Sequence, residues 1–81
     1  MNHDIEIDAT GLLCPLPVLK LRKRLIDFKS GSIIKILADD PAAIIDIPHF
    51  CNENKHLLLE TREPLQPTTN ENLREYFVKK G

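Results

Sequence analysis

The sequence predicts an α/β (α+β) fold, a two-layer β-α-β-α-β-β sandwich in which a four-stranded mixed sheet carries two helices on one face. Three patterns predict it: alternating polar and apolar residues at 4–8, apolar residues at helical spacing in 17–28, and a run rich in β-branched residues at 32–38. The chain of 81 residues suits one domain, residues 1–81, and is too short for two. Its core must be aliphatic and thin, because there is no Trp, one Tyr and three Phe.

The first half of the chain predicts strand, helix and strand. Residues 4–8 alternate as a half-buried strand does, with the isoleucines facing inward. The helical pattern of residues 17–28 ends at Ser30-Gly31, where glycine can terminate a helix. Residues 32–38 are nearly continuously apolar, as in a strand covered by helices. A right-handed crossover through the helix would make the two strands parallel.

The second half predicts a helix and two strands. Residues 39–41, Asp-Asp-Pro, supply an acidic N-cap followed by proline at the first helical position. Pro48 lies inside the helical pattern and predicts a kink or a restart of that helix, because proline lacks a backbone N–H. Residues 56–61 and 73–78 are predicted strands that form a hairpin, and an irregular loop over residues 62–70 joins them.

Composition and charge exclude several classes of protein. The apolar stretches are far shorter than the roughly 20 residues that span a bilayer, so no membrane association is expected. Residues 1–6 lack the basic and apolar segments of a secretory signal, which predicts a cytoplasmic protein. The formal net charge of -1 gives no general attraction to nucleic acid, although the basic residues cluster at Lys20, Arg22, Lys23, Arg24 and Lys29.

Cys14 is the principal candidate for a functional group, because it stands in Cys14-Pro15-Leu16-Pro17 just before the first helix. The two prolines place the helix start between them, so the sulfur lies at or before the first turn. The helix dipole and the nearby basic residues are expected to lower the pKa of the thiol. Since prolines have no N–H, only that of Leu16 can face the sulfur, which favours moderate activation. The alternative is a small apolar residue packed in the turn.

Other groups that could bind metal or form a disulfide are interpreted as structural. Cys51 is predicted to pack in the core, with a resolving thiol as the alternative. A Cys14–Cys51 disulfide is not expected in a reducing compartment. The spacing of His49, Cys51 and His56 does not match a closed zinc site, so no metal is predicted.

Charged residues near Cys14 predict contacts with a partner. Lys20, Arg22 and Lys23 on the first helix favour docking to an acidic protein surface, with an ordinary solvated face as the alternative. Direct RNA binding is less favoured, because aromatic side chains are not interleaved among these charges. Asp39 and Asp40 resemble a carboxylate pair for acid–base catalysis, but a helix cap explains at least one of them. Asp40 is also a candidate partner contact.

The motif around Cys14 closely resembles the TusA family of sulfur carriers, also called SirA-like proteins, whose signature is Gly-Leu-x-Cys-Pro-x-Pro. Gly11, Pro15 and Pro17 fill its other defined positions, and Leu16 occupies its variable position. Residues 38–42, 46–51 and 79–81 resemble further family segments, so the likeness spans nearly the whole chain. It implies the same β-α-β-α-β-β sandwich.

This resemblance also implies a function and its partners. Cys14 would accept sulfane sulfur as a persulfide from a cysteine desulfurase of the IscS type. It would pass that sulfur to the TusBCD/TusE relay for 2-thiolation of the wobble uridine, with tRNA only an indirect partner. Such a protein is a carrier with sulfurtransferase-like persulfide exchange, not a self-sufficient enzyme, and needs no cofactor. Leu16 would then join the basic residues of the first helix as a partner contact.

Two other functions compete with the carrier hypothesis. A small thiol oxidoreductase would use Cys14 with Cys51, but the sequence has no Cys-x-x-Cys motif. A regulatory or RNA-binding module would act through the basic first helix, and its tRNA binding would be salt-dependent and independent of Cys14. The residues alone leave the final sulfur acceptor open between tRNA thiolation, cofactor synthesis and sulfur oxidation.

Overall fold

The strands and helices follow one another in the predicted order, which confirms the fold class. The structure is a computed structural model that describes residues 2–64 and 70–81, so the predicted loop over residues 62–70 lies partly outside the described residues. The elements are β1 Ile5–Asp8, α1 Leu16–Leu25, β2 Ile33–Ala38, α2 Ala43–Glu53, β3 Leu57–Arg62 and β4 Arg74–Lys79.

The sheet has the strand order β1-β2-β4-β3. β1 and β2 are parallel, with Ile5 opposite Ile34, as a helical crossover between them requires. β4 is antiparallel to both of its neighbours. The central place of β4 agrees with its burial, since residues 75–78 are all buried. The parallel pairing also brings the chain segments that follow β1 and β2 to the same edge of the sheet.

The core lies between the sheet and the two helices. Ile34, Ile36 and Ala38 alternate along β2 and are 0% exposed, which shows that one face of this strand is fully covered. α1 adds Leu21 and Leu25 to the same cluster, and α2 adds Ala43, Ile47, Phe50 and Cys51. The core therefore holds the two helices against one face of the sheet and fixes their positions relative to each other.

Charged side chains cover the opposite face of the sheet around Phe77. This ring is 0% exposed but lies outside the main core cluster. The guanidinium of Arg62 is 4.8 Å from the centre of the Phe77 ring. The carboxylate of Glu75 forms ion pairs with Arg62 at 3.1 Å and with Lys35 at 3.3 Å. The long side chains thus shield an aromatic ring where no helix packs.

The predicted end of the first helix and the predicted start of the second helix need correction. α1 ends at Leu25 instead of Phe28, and a turn follows in which the N–H of Phe28 donates to the carbonyl of Leu25 at 3.2 Å. α2 begins at Ala43 with Ala42 as its N-cap, not at the Asp-Asp-Pro segment. The reason is local: the carbonyl of Asp40 accepts the N–H of Ala43, so residues 40–43 form a separate turn before the helix.

The predicted restart of the second helix at Pro48 is wrong, because α2 continues from Ala43 to Glu53. The bond that proline cannot make would run to the carbonyl of Ile44, four residues earlier. Ile44 is 51% exposed, so water can solvate that carbonyl. Burial of Ile47 and Phe50 on the other side of α2 stabilises the continuous helix.

Candidate functional site

Cys14 lies in the connection between β1 and α1, and its side chain is exposed. The Cys14–Pro15 peptide bond is cis. Pro15 is the N-cap of α1, and Pro17 is the second residue of the helix and buried. The predicted helix start between the two prolines is therefore correct, and it puts the sulfur immediately outside the first turn.

Gly11 connects the Cys14 loop to the segment that follows β2. Its φ of +81° lies in the left-handed region, which glycine adopts without the strain that a Cβ would bring. Its N–H donates to the carboxylate of Asp39 at 2.9 Å. The glycine of the motif thus has a structural reason: it lets the chain turn while anchoring the loop to the neighbouring connection.

The backbone donor expected to face the sulfur is used elsewhere. The N–H of Leu16 donates to the carbonyl of Leu13 at 2.8 Å. α1 has no side-chain cap, and the two flanking prolines have no N–H to offer. The expectation that the N–H of Leu16 faces the sulfur is therefore wrong, because the turn before the helix satisfies that donor.

Two carboxylates flank Cys14. The sulfur of Cys14 and carboxylate oxygens of Asp40 and Asp46 all lie within 4.8 Å of one another. The hydrogen bond to Asp46 raises the pKa of the Cys14 thiol, and desolvation and the negative charges of Asp46 and Asp40 act in the same direction. The predicted lowering of the Cys14 pKa is wrong: its surroundings favour the neutral thiol.

The predicted cations fail to lower the Cys14 pKa for geometric reasons. The ammonium of Lys20 donates to the backbone carbonyl of Asp8 at 2.6 Å. Arg22 lies in the last turn of α1, roughly 9 Å along the helix axis from Leu16, the first helical residue, at 1.5 Å per residue. Exposed charges at such a distance are largely screened at physiological ionic strength. The carboxylates of Asp46 and Asp40 therefore decide the direction in which the pKa of Cys14 shifts.

The predicted site residues divide into exposed and buried groups. Leu16, Lys20, Arg22 and Lys23 are all exposed on α1. Asp40, the other predicted partner contact, is buried, with only 6% of its surface exposed. Its carboxylate accepts the N–H of Ala42 at 3.4 Å. That bond belongs to the turn before α2 and replaces the predicted helix cap.

Sequence reasoning missed Asp46 and two exposed leucines beside the motif. Asp46 is in the first turn of α2, far from Cys14 in sequence. Only the parallel pairing of β1 and β2 predicts that connections following these strands meet. Leu13 is 67% and Leu19 is 47% exposed. Large exposed apolar residues near a functional group are a signal for a partner surface.

A groove of about 350 Å³ opens beside Cys14. Residues of both helices line it, so the packing of α1 on α2 determines its shape. It adjoins the thiol without enclosing it. The lining residues are Cys14, Pro15, Val18, Asp46, His49, Phe50, Glu53 and Asn54.

The potential metal ligands that the fold brings together are not His49, Cys51 and His56, the residues considered from the sequence. In residues 2–64 and 70–81 one group of three potential ligands occurs, formed by Cys14, Asp40 and Asp46. Three ligands are fewer than the four of a closed zinc site. The surroundings of Cys14 raise the pKa of its thiol, and a protonated thiol is not a metal ligand. The arrangement is best described as a thiol between two acceptors.

Cys51 is a core residue, 2% exposed and not in a disulfide. Burial raises the pKa of the Cys51 thiol to about 11. The prediction that it packs in the core is confirmed. A buried neutral thiol is a poor resolving group, which weakens the oxidoreductase alternative.

The two thiols should differ in alkylation. In the folded chain near pH 8, iodoacetamide should modify Cys14 and leave Cys51 unmodified, because Cys51 is shielded and only about one thiol in a thousand is ionised three pH units below its pKa. Mass spectrometry of peptides from the treated chain measures both. In urea both cysteines should react. Equal labelling of the two thiols in the folded chain would contradict the assignment.

Comparisons with known proteins agree with these features. A family model described as "Sulfurtransferase TusA" matches residues 5–80. The sulfur carrier protein TusA of Pseudomonas entomophila (strain L48) is 44% identical over 61 residues, which cover 75% of this chain and 76% of that protein.

Two structural findings complete the comparison. The crystal structure of a SirA-like protein from Desulfitobacterium hafniense superposes with a TM-score of 0.60 at 23% identity, covering 96% of this chain and 99% of that one, and supports the fold. None of the helices within residues 2–64 and 70–81 is long and apolar enough to cross a membrane. The family model matches nearly the whole length of the chain, and the curated sulfur carrier is 44% identical over 75% of it. The chain therefore belongs to the TusA family of sulfur carriers.

Proposed function

We propose that this chain carries sulfur on Cys14 as a cysteine persulfide. The supporting observation is the contrast between its two cysteines: Cys14 is exposed at the start of α1, whereas Cys51 is buried. Membership of a sulfur carrier family implies partners in a sulfur relay. An exposed thiol suits that role, because it must meet a donor and then an acceptor.

The transfer is a thiol–persulfide exchange. The Cys14 thiolate attacks the terminal sulfur of a donor persulfide, a new S–S bond forms on Cys14, and the donor's S–S bond breaks. The donor cysteine leaves as a thiolate and takes up the proton that Cys14 released. One sulfane sulfur moves and the number of S–S bonds is unchanged, so no external oxidant or reductant takes part.

The donor in this proposal is a cysteine desulfurase of the IscS type, and the receiving proteins are a TusBCD/TusE relay. The sulfur ends in 2-thiouridine at the tRNA wobble position, so that tRNA is an indirect partner. Exposed leucines around Cys14, at positions 13, 16 and 19, support protein docking. Lys20, Arg22 and Lys23 extend that surface with positive charge that attracts an acidic partner.

The test is sulfur loading of the purified chain. With a cysteine desulfurase, its cofactor and cysteine, the intact mass should rise by one sulfur atom, the added sulfur should map to the Cys14 peptide, and dithiothreitol should remove it. The desulfurase alone must consume cysteine in the same buffer. If it does, and the chain gains no sulfur, the carrier proposal is overturned.

The destination of the sulfur is tested separately in cells. Bacteria that lack their own TusA should regain 2-thiouridine in tRNA when they express this chain. Nucleoside analysis of bulk tRNA by mass spectrometry measures the modification. Loading in vitro without recovery of 2-thiouridine would leave a sulfur carrier but reject the tRNA destination.

A further inference from the structure

A second groove continues the one beside Cys14. It has a volume of about 280 Å³, and Phe50 and Asn54 of the α2 segment line both grooves. On the side of α1, Val18 lines the first groove and Ile26, which directly follows the helix, lines the second. Together the two grooves form one furrow between α1 and α2, the interhelical furrow, which runs from Cys14 to Ile26.

The furrow has the length of a short extended peptide. Val18, Arg22 and Ile26 are four residues apart, so they lie along one face of α1. At 1.5 Å per residue, Ile26 is about 12 Å along the helix axis from Val18. An extended chain covers that distance with about four residues. A peptide whose sulfur reaches Cys14 can therefore place a side chain about four residues away at the far end of the furrow.

The two ends of the interhelical furrow carry opposite charge. Asp46 and Glu53 line the end beside Cys14. Arg22 and Lys80 line the far end, and none of the described aspartates and glutamates does. A ligand that fills the furrow therefore meets negative charge near the sulfur and positive charge at the other end.

The far end also has hydrogen-bond donors to spare. The guanidinium of Arg22 is exposed and makes no ion pair or hydrogen bond within residues 2–64 and 70–81. Lys80 donates to the carbonyl of Phe28, which leaves two of its three N–H groups. His56 accepts the N–H of Gly81 at Nδ1, so the Nε2 atom of the neutral ring carries a hydrogen. These donors suit a carboxylate, which accepts charge-assisted hydrogen bonds.

We propose that the interhelical furrow binds an extended segment of the protein that exchanges sulfur with Cys14, and that this segment has an acidic side chain about four residues from its reactive cysteine. Arg22 and Lys80 bind the acidic side chain while the two sulfurs meet. The inference rests on the proposed function and adds to it a rule for recognising the partner.

RNA fits the furrow less well than a peptide does. A polyanion would be repelled by Asp46 and Glu53 at the end beside Cys14. Binding of single strands also uses exposed aromatic rings on which bases stack. Phe50, the aromatic residue that lines the furrow, is only 6% exposed. A segment with one acidic group at one end matches the charges better.

Activated peptides test the rule without a desulfurase. Each probe is a blocked pentapeptide whose cysteine is linked to pyridine-2-thiol by a disulfide. The Cys14 thiolate attacks the peptide's sulfur, an S–S bond forms between the two cysteines, and the bond to pyridine-2-thiol breaks. The leaving group takes up the proton that Cys14 released, and its absorbance measures the rate. Each rate is divided by that of N-acetylcysteine amide with the same probe, which removes intrinsic differences among the probes.

Four peptides separate charge from position. In three of them, neutral spacers place Asp, Asn or Lys four residues from the cysteine; the fourth has the composition of the Asp peptide, with Asp next to the cysteine. All are made with the cysteine first and with the cysteine last, so both chain directions are sampled.

The peptide with the distant Asp should react fastest in one of the two directions. We expect it to exceed the Asn peptide about fivefold, the effect of one charge pair near 4 Å in water, and the Lys peptide by more. Its isomer with the adjacent Asp should be slower, because that charge meets Asp46 and Glu53. High salt should compress these ratios. Equal normalised rates for the distant Asp and Asn peptides in both directions, or for the two Asp isomers, would overturn the proposal.

Variants of Arg22 locate the acidic group. Arg22→Gln should reduce the ratio of the Asp to the Asn peptide at least twofold, and Arg22→Glu should make the Lys peptide faster than the Asp peptide. The control is Arg24→Gln, which makes the same change in the same turn of α1 at a residue that lines neither groove. It should keep the parent's ratio. An unchanged ratio in Arg22→Glu would overturn the assignment of the far end.

Competition distinguishes other occupants of the furrow. A single-stranded RNA oligonucleotide at physiological salt should not slow the reaction of the distant Asp peptide. Slowing by RNA that disappears in Arg22→Gln would assign the furrow to RNA and overturn the peptide proposal. The rate constant should also be independent of protein concentration. A fall at high protein concentration would show that a second copy of the chain occupies the furrow.

The outcomes for this inference and for the proposed function are distinguishable. A chain that loads sulfur from the desulfurase but treats all peptides alike keeps the carrier role and loses the recognition rule. A chain that prefers the distant Asp peptide but gains no sulfur keeps the furrow as a peptide site and loses the carrier role.

Discussion

Replacement of Cys14 by serine should abolish sulfur acceptance from a cysteine desulfurase. A serine hydroxyl is a far weaker nucleophile than a thiolate and does not form a persulfide. Cys51 does not substitute for it, because it is 2% exposed and its pKa is raised to about 11 by burial. Intact mass spectrometry after incubation with desulfurase and cysteine should show no added sulfur on Cys14→Ser.

The matched control for this prediction is Cys51→Ala. It removes the other thiol without burying a hydroxyl, and it should accept sulfur to the same extent as the parent chain. Thermal melts of both variants establish that they are folded. Sulfur that still appears on Cys14→Ser, or that disappears only from folded Cys51→Ala, would refute the assignment of Cys14 as the carrier residue.

Ile47→Ala should remove most of the stability of the fold. Ile47 is 0% exposed on α2 and packs in the main core. Truncating a buried isoleucine costs about 2–5 kcal/mol of the free energy of unfolding through lost burial and the cavity left behind. A domain of this size has only about 3–5 kcal/mol to lose. Urea titration followed by far-UV circular dichroism should show a large fall in the midpoint.

The same helix supplies the control for that prediction. Ile45 is 71% exposed, so Ile45→Ala makes an identical change with almost no loss of buried area. Its free energy of unfolding should stay within about 0.5 kcal/mol of the parent value. Equal urea midpoints for Ile47→Ala and the parent would contradict the described packing of α2, and with it the position of Asp46 beside Cys14.

Local sequence patterns predicted most of the architecture because strands and helices depend on short-range periodicity. The alternation in residues 4–8 and the β-branched run at 32–38 correspond to β1 and β2, which the structure pairs in parallel. The boundaries that failed depend on competing local bonds. Asp40 illustrates this, because its carbonyl closes a turn with Ala43 and delays the start of α2.

Pro48 shows a different reason for failure. A proline in a helical pattern predicts interruption when each residue is weighed alone. In the folded chain, α2 is held by the burial of Ile47 and Phe50 against the sheet, and this packing outweighs one missing hydrogen bond at an exposed position. Sequence periodicity detected the helix, but tertiary packing decided that it continues.

The electrostatics of Cys14 changed most between sequence and structure. Basic residues close in sequence, such as Lys20 and Arg22, predicted a lowered pKa of the thiol. In the fold Lys20 binds the carbonyl of Asp8, while Asp46 reaches Cys14 from another helix and raises its pKa. Coulomb interactions depend on distance in space, and neighbours along a helix can lie on different sides of it.

The sequence by itself determined the fold class, the position of Cys14 at a helix start and the burial of Cys51, because these depend on residue type and local spacing. Only the tertiary structure decided what surrounds the sulfur. The parallel pairing of β1 and β2 brings two connections to one edge of the sheet and places Asp40 and Asp46 beside Cys14. Contacts between segments so distant in sequence leave no periodic pattern, so they emerge only when the sheet and both helices are assembled.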